Sequence, residues 1–311
     1  MNDPDIVTEA DILLLESTYG DRNHRPLETT LDEFKDVIEN ASSAGGNILI
    51  PAFAVGRTQD LIYWLGQLYH EGQLNRQKVF IDSPMAIQVS DVYERHHQLF
   101  NEDDPHFRSF VKQGWDKWLP SLTYTRSPEE SMAINRVSDG AIIIAGSGMC
   151  TGGRILHHLK HNLWRKKNHV VIVGYQPGGT LGRALVDGKP RVRIYGEDIA
   201  VRAQIHTLGG FSAHAGQDQL LNWASNFQPQ KPRLFLVHGE FKAMQALQKR
   251  FVREYQWDAY IPGLGENITL WCLKYSAISY QPNMPAVTMR CIYVAPTFPV
   301  PPGPAQRMPP R

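Results

Sequence analysis

Three short segments of the chain carry side chains whose types suit catalysis. Glu16 follows an apolar run, His214 lies in the small-residue segment 210–215, and His238 follows the apolar run 234–237. Enzymes built from helices and parallel strands place reactive groups in such loops, at the carboxyl ends of strands. A carboxylate and two imidazoles can transfer protons or hold a metal ion. Each residue alone is more often an ion-paired acid or a hydrogen-bonded structural histidine, so the prediction rests on all three together.

The segments that must position these residues have the pattern of an α/β protein. Short apolar runs alternate with amphipathic stretches, which is typical of a mostly parallel sheet with crossover helices. Thr30 with Glu33, and Ser127 with Glu130, have the spacing of capping boxes at helix starts. Alternation within residues 191–205 predicts an antiparallel hairpin. Buried strands are predicted at residues 11–15, 47–52, 79–82, 141–145, 170–174 and 234–237.

The composition is that of an ordinary globular protein. The chain has 311 residues, enough for one large domain or two smaller ones, and a net charge of +1. No apolar run is long enough to span a membrane. The three cysteines, Cys150, Cys272 and Cys291, show no CxxC spacing, so neither a disulfide framework nor a cysteine zinc site is indicated. A reducing cytoplasm is the simplest location for such a chain.

Positive charge is concentrated in one part of the sequence. From Thr151 to Arg193 there are nine Lys or Arg residues against one acid, Asp187, an excess of eight. Such an excess attracts a polyanion, although a solvated basic face explains it equally well. His157 and His161 share a helical face in this stretch at a spacing that can bind zinc. Since no H-E-x-x-H glutamate accompanies them, a basic helix rich in histidine is the simpler interpretation.

The three segments resemble the three motifs of the β-CASP nucleases of the metallo-β-lactamase superfamily. In this chain they read E-S-T-Y-G with Glu16, F-S-A-H with His214 and V-H-G-E with His238. The likeness covers residues 8–270, and it is greatest to prokaryotic relatives of the endonuclease that cleaves pre-mRNA 3′ ends. It continues through I-P-A-F-A-V-G-R-T-Q, D-S-P-M-A, A-G-S-G-M and G-Y-Q-P-G-G-T-L-G-R.

The resemblance implies a fold and a domain order. In this family a β-CASP cap with a mostly parallel sheet is inserted in a metallo-β-lactamase αββα domain, which is expected to be incomplete here. Residues 1–22 would be a fragment of that domain, 23–205 the cap, and 206–272 the C-terminal part with the RNA-specificity motifs. Residues 273–311 contain nine prolines and no acid, so this tail is predicted to be disordered or loosely extended.

The resemblance also implies a role for each residue of the three motifs. His238 would ligate one of two Zn²⁺ ions, and His214 would protonate the leaving ribose oxygen as general acid. Glu16 would accept a hydrogen bond from His214 and fix its tautomer. RNA is the expected substrate, because a histidine at the position of His238 is typical of RNA-acting members, whereas DNA-repair members carry an aliphatic residue there.

Loops of the cap are candidates for contact with the RNA backbone. Gly56 and Arg57 open a helix directly after a strand, and a helix N-terminus beside a guanidinium suits a phosphate. Small-residue loops can bring backbone N–H groups close to a sugar-phosphate chain, although tight turns explain each glycine equally well. The residues predicted to contact RNA are Arg57, Arg183, Arg154, Ser147, Gly148, Gly178 and Gly179.

One part of the family pattern has no counterpart in the sequence. The metal site of the superfamily begins with an H-x-H-x-D-H motif upstream of the first β-CASP motif, but only fifteen residues precede Glu16 and none is a histidine. His238 is then the one recognisable zinc ligand, and a catalytic zinc needs at least three. We therefore expect an N-terminally truncated chain that is inactive alone. Its strands at 11–15 and 234–237 are expected to expose their edges.

Two alternatives remain open at this point. The chain could be a non-catalytic RNA-binding or partner-binding β-CASP module, whose partner is RNA, a second copy in a homodimer, or the missing N-terminal half. Retention of Glu16, His214 and His238 favours an enzyme, because a binding module has no need of all three. A DNA-acting nuclease of the same superfamily is the other alternative, which His238 disfavours. No membrane partner is expected.

Overall fold

The computed structural model describes residues 6–74, 77–97 and 114–269, together with the backbone of Cys291–Val294. These residues divide into two compact units. The first unit is Arg25–Ser212, and the second consists of the described residues within Asn2–His24 and Ala213–Pro299. The domain boundary predicted after residue 205 falls inside a strand, Gln204–Thr207, which belongs to the sheet of the first unit.

The secondary structure is a mixture of short strands and helices. The strands are β1 (Ile12–Glu16), β2 (Ile48–Pro51), β3 (Lys78–Ile81), β4 (Leu122–Tyr124), β5 (Ala141–Ala145), β6 (His169–Ile172), β7 (Arg191–Ile194), β8 (Glu197–Ala200), β9 (Gln204–Thr207), β10 (Arg233–Val237), β11 (Ala259–Tyr260) and β12 (Cys291–Val294). The helices are α1 (Leu27–Ala44), α2 (Arg57–His70), α3 (Pro84–Arg95), α4 (Trp115–Trp118), α5 (Pro128–Ile134), α6 (Ile155–Asn162), α7 (Leu181–Val186), α8 (Gln217–Ala224) and α9 (Phe241–Tyr255). Among the described helices, none combines the length and apolar character that crossing a bilayer would require.

The first unit is built on a six-stranded parallel sheet in the order β4-β3-β5-β2-β6-β9. Its central strands are buried on both faces, because successive side chains point to opposite sides and helices cover both. Ile48 and Ile50 lie in the core beneath α1 and α2, whereas Leu49 lies in the core beneath α6 and α7. The mixed α/β fold with mostly parallel sheets is confirmed. All six strands run the same way, so the loops after them lie at one edge of the sheet.

The second unit contains a four-stranded parallel sheet in the order β11-β10-β1-β12. Leu13 and Leu15 of β1 pack with Leu234 and Leu236 of β10 in a core that α8 and α9 cover. The prediction that β1 and β10 expose their edges is wrong. β1 is hydrogen-bonded to β10 and β12, and β10 is hydrogen-bonded to β1 and β11.

Two local predictions have different outcomes at helix starts. The capping box of Ser127 and Glu130 is present at the start of α5, with both reciprocal hydrogen bonds. The box predicted for Thr30 and Glu33 is absent, because α1 begins at Leu27, after Pro26, and Thr30 therefore lies inside the helix. The Thr30 hydroxyl instead donates to the carbonyl oxygen of Pro26 within the helix.

The predicted hairpin and tail also differ in part from the structure. β7 and β8 form the antiparallel hairpin, but it ends at Ala200, and Ile205 pairs in parallel with Val170 of β6. Most of the tail 273–311 lies outside the described residues. The part that is described, β12, is a strand paired with β1, rather than the disordered or loosely extended chain predicted there.

A buried carboxylate ties several loops of the first unit together. Asp82 follows β3 and is fully buried, and its oxygens accept hydrogen bonds from Thr125, Ser131, Arg154 and His158 at 2.5–2.7 Å. Burial works to raise the pKa of Asp82, but the hydrogen bonds from His158, Ser131, Thr125 and Arg154 together lower this pKa well below its ordinary value. The carboxylate is therefore ionised in the folded protein at neutral pH.

The substitution Asp82→Asn should destabilise the fold, because it leaves Arg154 and His158 facing a neutral amide in a buried site. We expect the free energy of unfolding at pH 7 to fall by about 3 kcal/mol. The lowered pKa means that the carboxylate of Asp82 stabilises the fold above its unfolded-state pKa near 3.8 and that this stability is lost as the pH falls below it. The difference between wild type and variant should therefore narrow below about pH 4.

Urea unfolding at pH 7 and at pH 3 measures both effects. Asp198→Asn is the matched control, since Asp198 forms an exposed ion pair with Arg191 and such pairs contribute little. Equal unfolding midpoints for wild type and Asp82→Asn at pH 7 would contradict a stabilising role for this carboxylate.

Candidate active site

Parallel strand pairing brings Glu16 and His238 together. β1 and β10 are neighbours, and their register places Glu16 opposite Val237. His238 is the next residue, so both side chains lie at the carboxyl edge of the same sheet. The loops after parallel strands are the usual location of reactive groups in such sheets. The two motifs are more than two hundred residues apart in sequence, and this register alone makes them adjacent.

A second set of contacts attaches His214 to the same edge. The loop that follows β1 pairs with the loop before α8 through a parallel bridge between Tyr19 and Gly216. The backbone N–H of Gln217 donates to the carbonyl oxygen of Arg22 at 2.9 Å. The ring nitrogen Nε2 of His24 lies 2.9 Å from the carbonyl oxygen of His214. These contacts hold the backbone of the F-S-A-H motif beside the E-S-T-Y-G motif.

The three predicted residues form one cluster. Nδ1 of His214 lies 3.6 Å from Oε2 of Glu16, and the rings of His214 and His238 are stacked with centroids 5.7 Å apart. One ligand atom from each residue lies within 4.8 Å of the other two. The carboxylate of Glu16 is fully buried, whereas the side chain of His214 is 38% exposed. A substrate can therefore reach the histidine ring while the carboxylate behind it stays dry.

Thr18 links Glu16 to His238, a role that the sequence did not single out. Its backbone N–H donates to Oε2 of Glu16 at 2.8 Å. Its hydroxyl donates to the carbonyl oxygen of His238 at 3.1 Å and lies 3.3 Å from Nδ1 of that ring. A hydroxyl that gives its proton to the carbonyl can accept one from Nδ1, which leaves Nε2 of His238 free to bind a metal. Thr18 lies inside the E-S-T-Y-G motif, and only its folded position distinguishes it from its neighbours.

The electrostatics of Glu16 suit a residue that supports a positive charge. Burial works to raise the pKa of Glu16, but the imidazole of His214 and the hydrogen bond from the backbone N–H of Thr18 lower this pKa below its ordinary value. The carboxylate is thus ionised at neutral pH. An ionised carboxylate next to an imidazole stabilises positive charge on the ring and fixes which nitrogen carries the proton.

The cluster also fits a zinc ion. Oε1 of Glu16 is buried and has no hydrogen-bond partner among the described residues. A buried carboxylate oxygen without a donor is costly unless a water or a cation satisfies it. Two imidazoles and one carboxylate are a known zinc ligand set. Within the described ranges this is the one group of three or more such side chains that lies close enough to hold an ion.

The V-H-G-E turn depends on tight packing behind His238. The backbone of His238 has a φ of 52°, in the left-handed region that costs a non-glycine residue about 1 kcal/mol or more. A Cβ at Gly239 would lie 2.5 Å from the carbonyl oxygen of Ser17, so no side chain fits there. The glycine of this motif therefore allows the loop after β10 to approach the loop after β1.

Two arginines predicted to contact RNA are engaged inside the first unit. Arg57 is the first residue of α2, but its side chain is only 9% exposed and its guanidinium donates to Asp60 at 2.9 Å. Arg154 donates to Asp82 and to the carbonyl oxygens of Thr125 and Arg126. Both guanidinium groups thus have partners within the first unit, and their contact with RNA stays a prediction.

The other predicted RNA contacts lie in loops at the carboxyl edge of the first unit's sheet or in the helix that follows. The Ser147 hydroxyl accepts the backbone N–H of Thr151 at 3.0 Å and is thus used within its own loop. A Cβ at Gly148 would lie 2.7 Å from the ring of Phe53, so this glycine is required by packing. Arg183 forms an ion pair with Asp187 one turn later in α7. Gly178 and Gly179 are exposed, and they stay predicted contacts.

Comparison with known proteins identifies two family domains in the chain. The Beta-Casp domain matches residues 58–185. The Zn-dependent metallo-hydrolase RNA specificity domain matches residues 198–262. The second match contains His214 and His238.

Several named relatives align with more than two-thirds of this chain. Ribonuclease TTHA0252 of Thermus thermophilus is 46% identical over 248 residues, which are 79% of this chain and 56% of the relative. The transcription termination factors FttA of Pyrococcus horikoshii and Thermococcus kodakarensis are 31% and 32% identical over 73% of this chain and 36% of their own length. The chain thus spans between about a third and just over half the length of these relatives. From the two domain matches and these relatives, the chain belongs to the β-CASP family.

Proposed function

We propose that this chain carries part of the active site of a zinc-dependent hydrolase that cleaves RNA phosphodiester bonds. The observation that supports the proposal is the cluster of Glu16, His214 and His238 in the second unit. A buried carboxylate, an exposed histidine beside it and a second histidine stacked on the first offer a metal ligand and a proton donor within reach of one phosphate. A module that only binds RNA would not need this arrangement.

Each residue has a separate part in the reaction. His238 would hold a zinc ion through Nε2, since Nδ1 faces the hydroxyl of Thr18. His214, whose ring reaches solvent, would donate a proton to the ribose oxygen as the phosphorus–oxygen bond breaks. Glu16 would hold the ring of His214 in position from behind and stabilise its charged form. When bound, zinc would supply a Lewis acid and an activated water.

RNA is the proposed substrate for two reasons. Relatives that share most of the chain are named as a ribonuclease and as transcription termination factors. The third motif carries His238 rather than the aliphatic residue expected of DNA-acting members. A cytoplasmic location and a homodimer stay predictions.

Zinc affinity should depend on His238 and on Thr18. We expect His238→Ala to weaken Zn²⁺ binding by at least tenfold, because it removes the proposed ligand. Thr18→Val keeps the shape but removes the group that fixes the ring, so it should weaken binding roughly 10- to 100-fold. Competition with a chromophoric chelator measures both. The control is His157→Ala, which removes an exposed histidine of the first unit and should bind zinc as the wild type does. If His238→Ala binds zinc with unchanged affinity, His238 is not a zinc ligand.

The 311-residue polypeptide tested by itself should show no zinc-dependent turnover of RNA. With these roles His238 is the one zinc ligand that the cluster supplies among the described residues, whereas a catalytic zinc needs at least three protein ligands. The assay adds Zn²⁺ and an end-labelled RNA to the purified chain and separates products on a gel. Metal-dependent cleavage by the chain alone would show that the cluster is a sufficient site.

The roles are tested after the chain is joined to a metallo-β-lactamase segment that carries an H-x-H-x-D-H motif. The joined protein should cleave RNA in preference to DNA of the same sequence. His214→Ala should then lower kcat by about 10²–10⁴-fold, as loss of a general acid does. Glu39→Ala, at an exposed position of α1 in the first unit, is the control for general damage. A joined protein that prefers DNA would refute the proposed substrate.

A further inference from the structure

One helix and one hairpin of the first unit share a continuous outer surface. In α6 the side chains of Ile155 and Leu159 are buried, whereas His157, His161 and the following Trp164 are exposed at a spacing of four and three residues. This spacing puts His157 and His161 on one side of the helix, and Trp164 follows in the turn after its last residue. In β7, Val192 and Ile194 are buried, so Arg191 and Arg193 point outward, and Tyr195 follows at the exposed hairpin tip. We call these outward residues the helix–hairpin surface.

The two elements are fixed against each other. The rings of His157 and Tyr195 lie 4.8 Å apart, and the tyrosine hydroxyl lies 3.1 Å from Nε2 of that histidine. Lys160 forms an ion pair with Glu197 at 2.6 Å. The backbone N–H of Arg202 donates to the carbonyl oxygen of Leu163 at 2.8 Å, which places the chain after the hairpin beside the end of α6. A shared core of aliphatic side chains lies beneath both elements. The surface is therefore preformed.

The surface combines exposed aromatic rings with positive charge. Trp164 is 51% exposed and Tyr195 is 53% exposed, although large aromatic side chains are usually buried. The guanidinium of Arg165 lies 5.1 Å from the centre of the Trp164 ring. Between Arg154 and Arg202 there are ten Lys or Arg residues and three acids, an excess of seven. Each of the three acids is already in an ion pair with one of these cations.

His161 fits the same pattern. Burial, and after it the nearby charge of Lys160 and of other basic groups around the helix, lower the pKa of His161 below its ordinary value. The ring is thus neutral at pH 7 and presents an aromatic face. Neutral rings set among cations are the composition of surfaces that bind single-stranded nucleic acid, where bases stack on rings and cations neutralise phosphates. A lipid surface would instead favour a continuous apolar face.

We propose that the helix–hairpin surface binds single-stranded RNA. Bases stack on Trp164 and Tyr195, and Arg165, Lys166 and Arg193 contact the phosphates. The ligand follows from the proposed function, but the surface belongs to the first unit and does not include Glu16, His214 or His238. It extends RNA binding to residues that take no part in cleavage. Its role is to hold the polymer, so its loss weakens affinity for RNA and leaves the chemistry intact.

Fluorescence anisotropy of a labelled oligouridine of about 12 nucleotides with the 311-residue chain tests this proposal. The double variant Trp164→Ala/Tyr195→Ala should raise Kd roughly tenfold or more, because it removes the two rings on which bases stack. Arg165→Ala/Lys166→Ala should reduce the slope of log Kd against the logarithm of the salt concentration by about one or two. The reason is that each phosphate contact releases about one counterion. The thermal unfolding temperature of each variant should equal that of the wild type, which checks that the fold is intact.

The matched control is Lys249→Ala/Tyr260→Ala, which removes one exposed cation and one exposed aromatic residue from the second unit and should bind RNA as the wild type does. Both surface variants should bind Zn²⁺ with wild-type affinity in the chelator competition, so a defect in this surface is distinguished from a defect in the proposed active site. Wild-type Kd in both surface variants overturns the proposal. If those variants instead lose self-association in sedimentation, the surface is a protein interface, and the RNA proposal fails while the proposed function stands.

Discussion

The register between β1 and β10 is the constraint on which the candidate active site depends. Two parallel strands can pair only in steps of one residue, and a slip by one would turn every side chain to the opposite face. The buried leucines of both strands exclude such a slip, because each strand would then place leucines on the wrong face of the sheet. Hydrophobic burial therefore fixes the positions of Glu16 and His238, although neither residue is apolar.

Packing behind the site adds what register alone does not supply. Glycine at position 239 lets one loop approach the carbonyl of Ser17, and the left-handed backbone of His238 turns its ring toward Thr18. Thr18 then offers its N–H to the carboxylate and its hydroxyl to the histidine. Strain of this kind persists only where the surroundings over-determine it, and it is common at functional sites. The dry carboxylate and the exposed ring of His214 are consequences of the same packing.

The sequence predicted those features that depend on local pattern. Apolar runs marked the six strands β1, β2, β3, β5, β6 and β10 of the two parallel sheets, and the Ser127–Glu130 spacing marked a helix start correctly. Prediction from the sequence failed where a contact between residues distant along the chain determines the pairing of a strand. Ile205 continues the apolar–polar alternation of the hairpin, but it pairs with Val170 of β6 in the parallel sheet. The alternation alone does not show which strand will be the neighbour. The edges of β1 and β10 are covered by strands that lie far along the chain or are only two residues long.

Charged residues show the same limit more sharply. In sequence, Arg57 and Arg154 were predicted phosphate contacts, whereas Arg165 and Arg193 were only members of a basic stretch. Folding separates them, because Asp60 and Asp82 engage the first two, whereas Arg165 lies partly exposed in the segment after α6 and Arg193 points outward from β7. A guanidinium buried against a carboxylate has already exchanged water for a protein partner, so binding RNA would cost that partner. An exposed guanidinium has only water and counterions to lose, and their release favours binding. Positive charge counted along a chain therefore indicates a nucleic-acid partner only after burial has shown which cations remain outside.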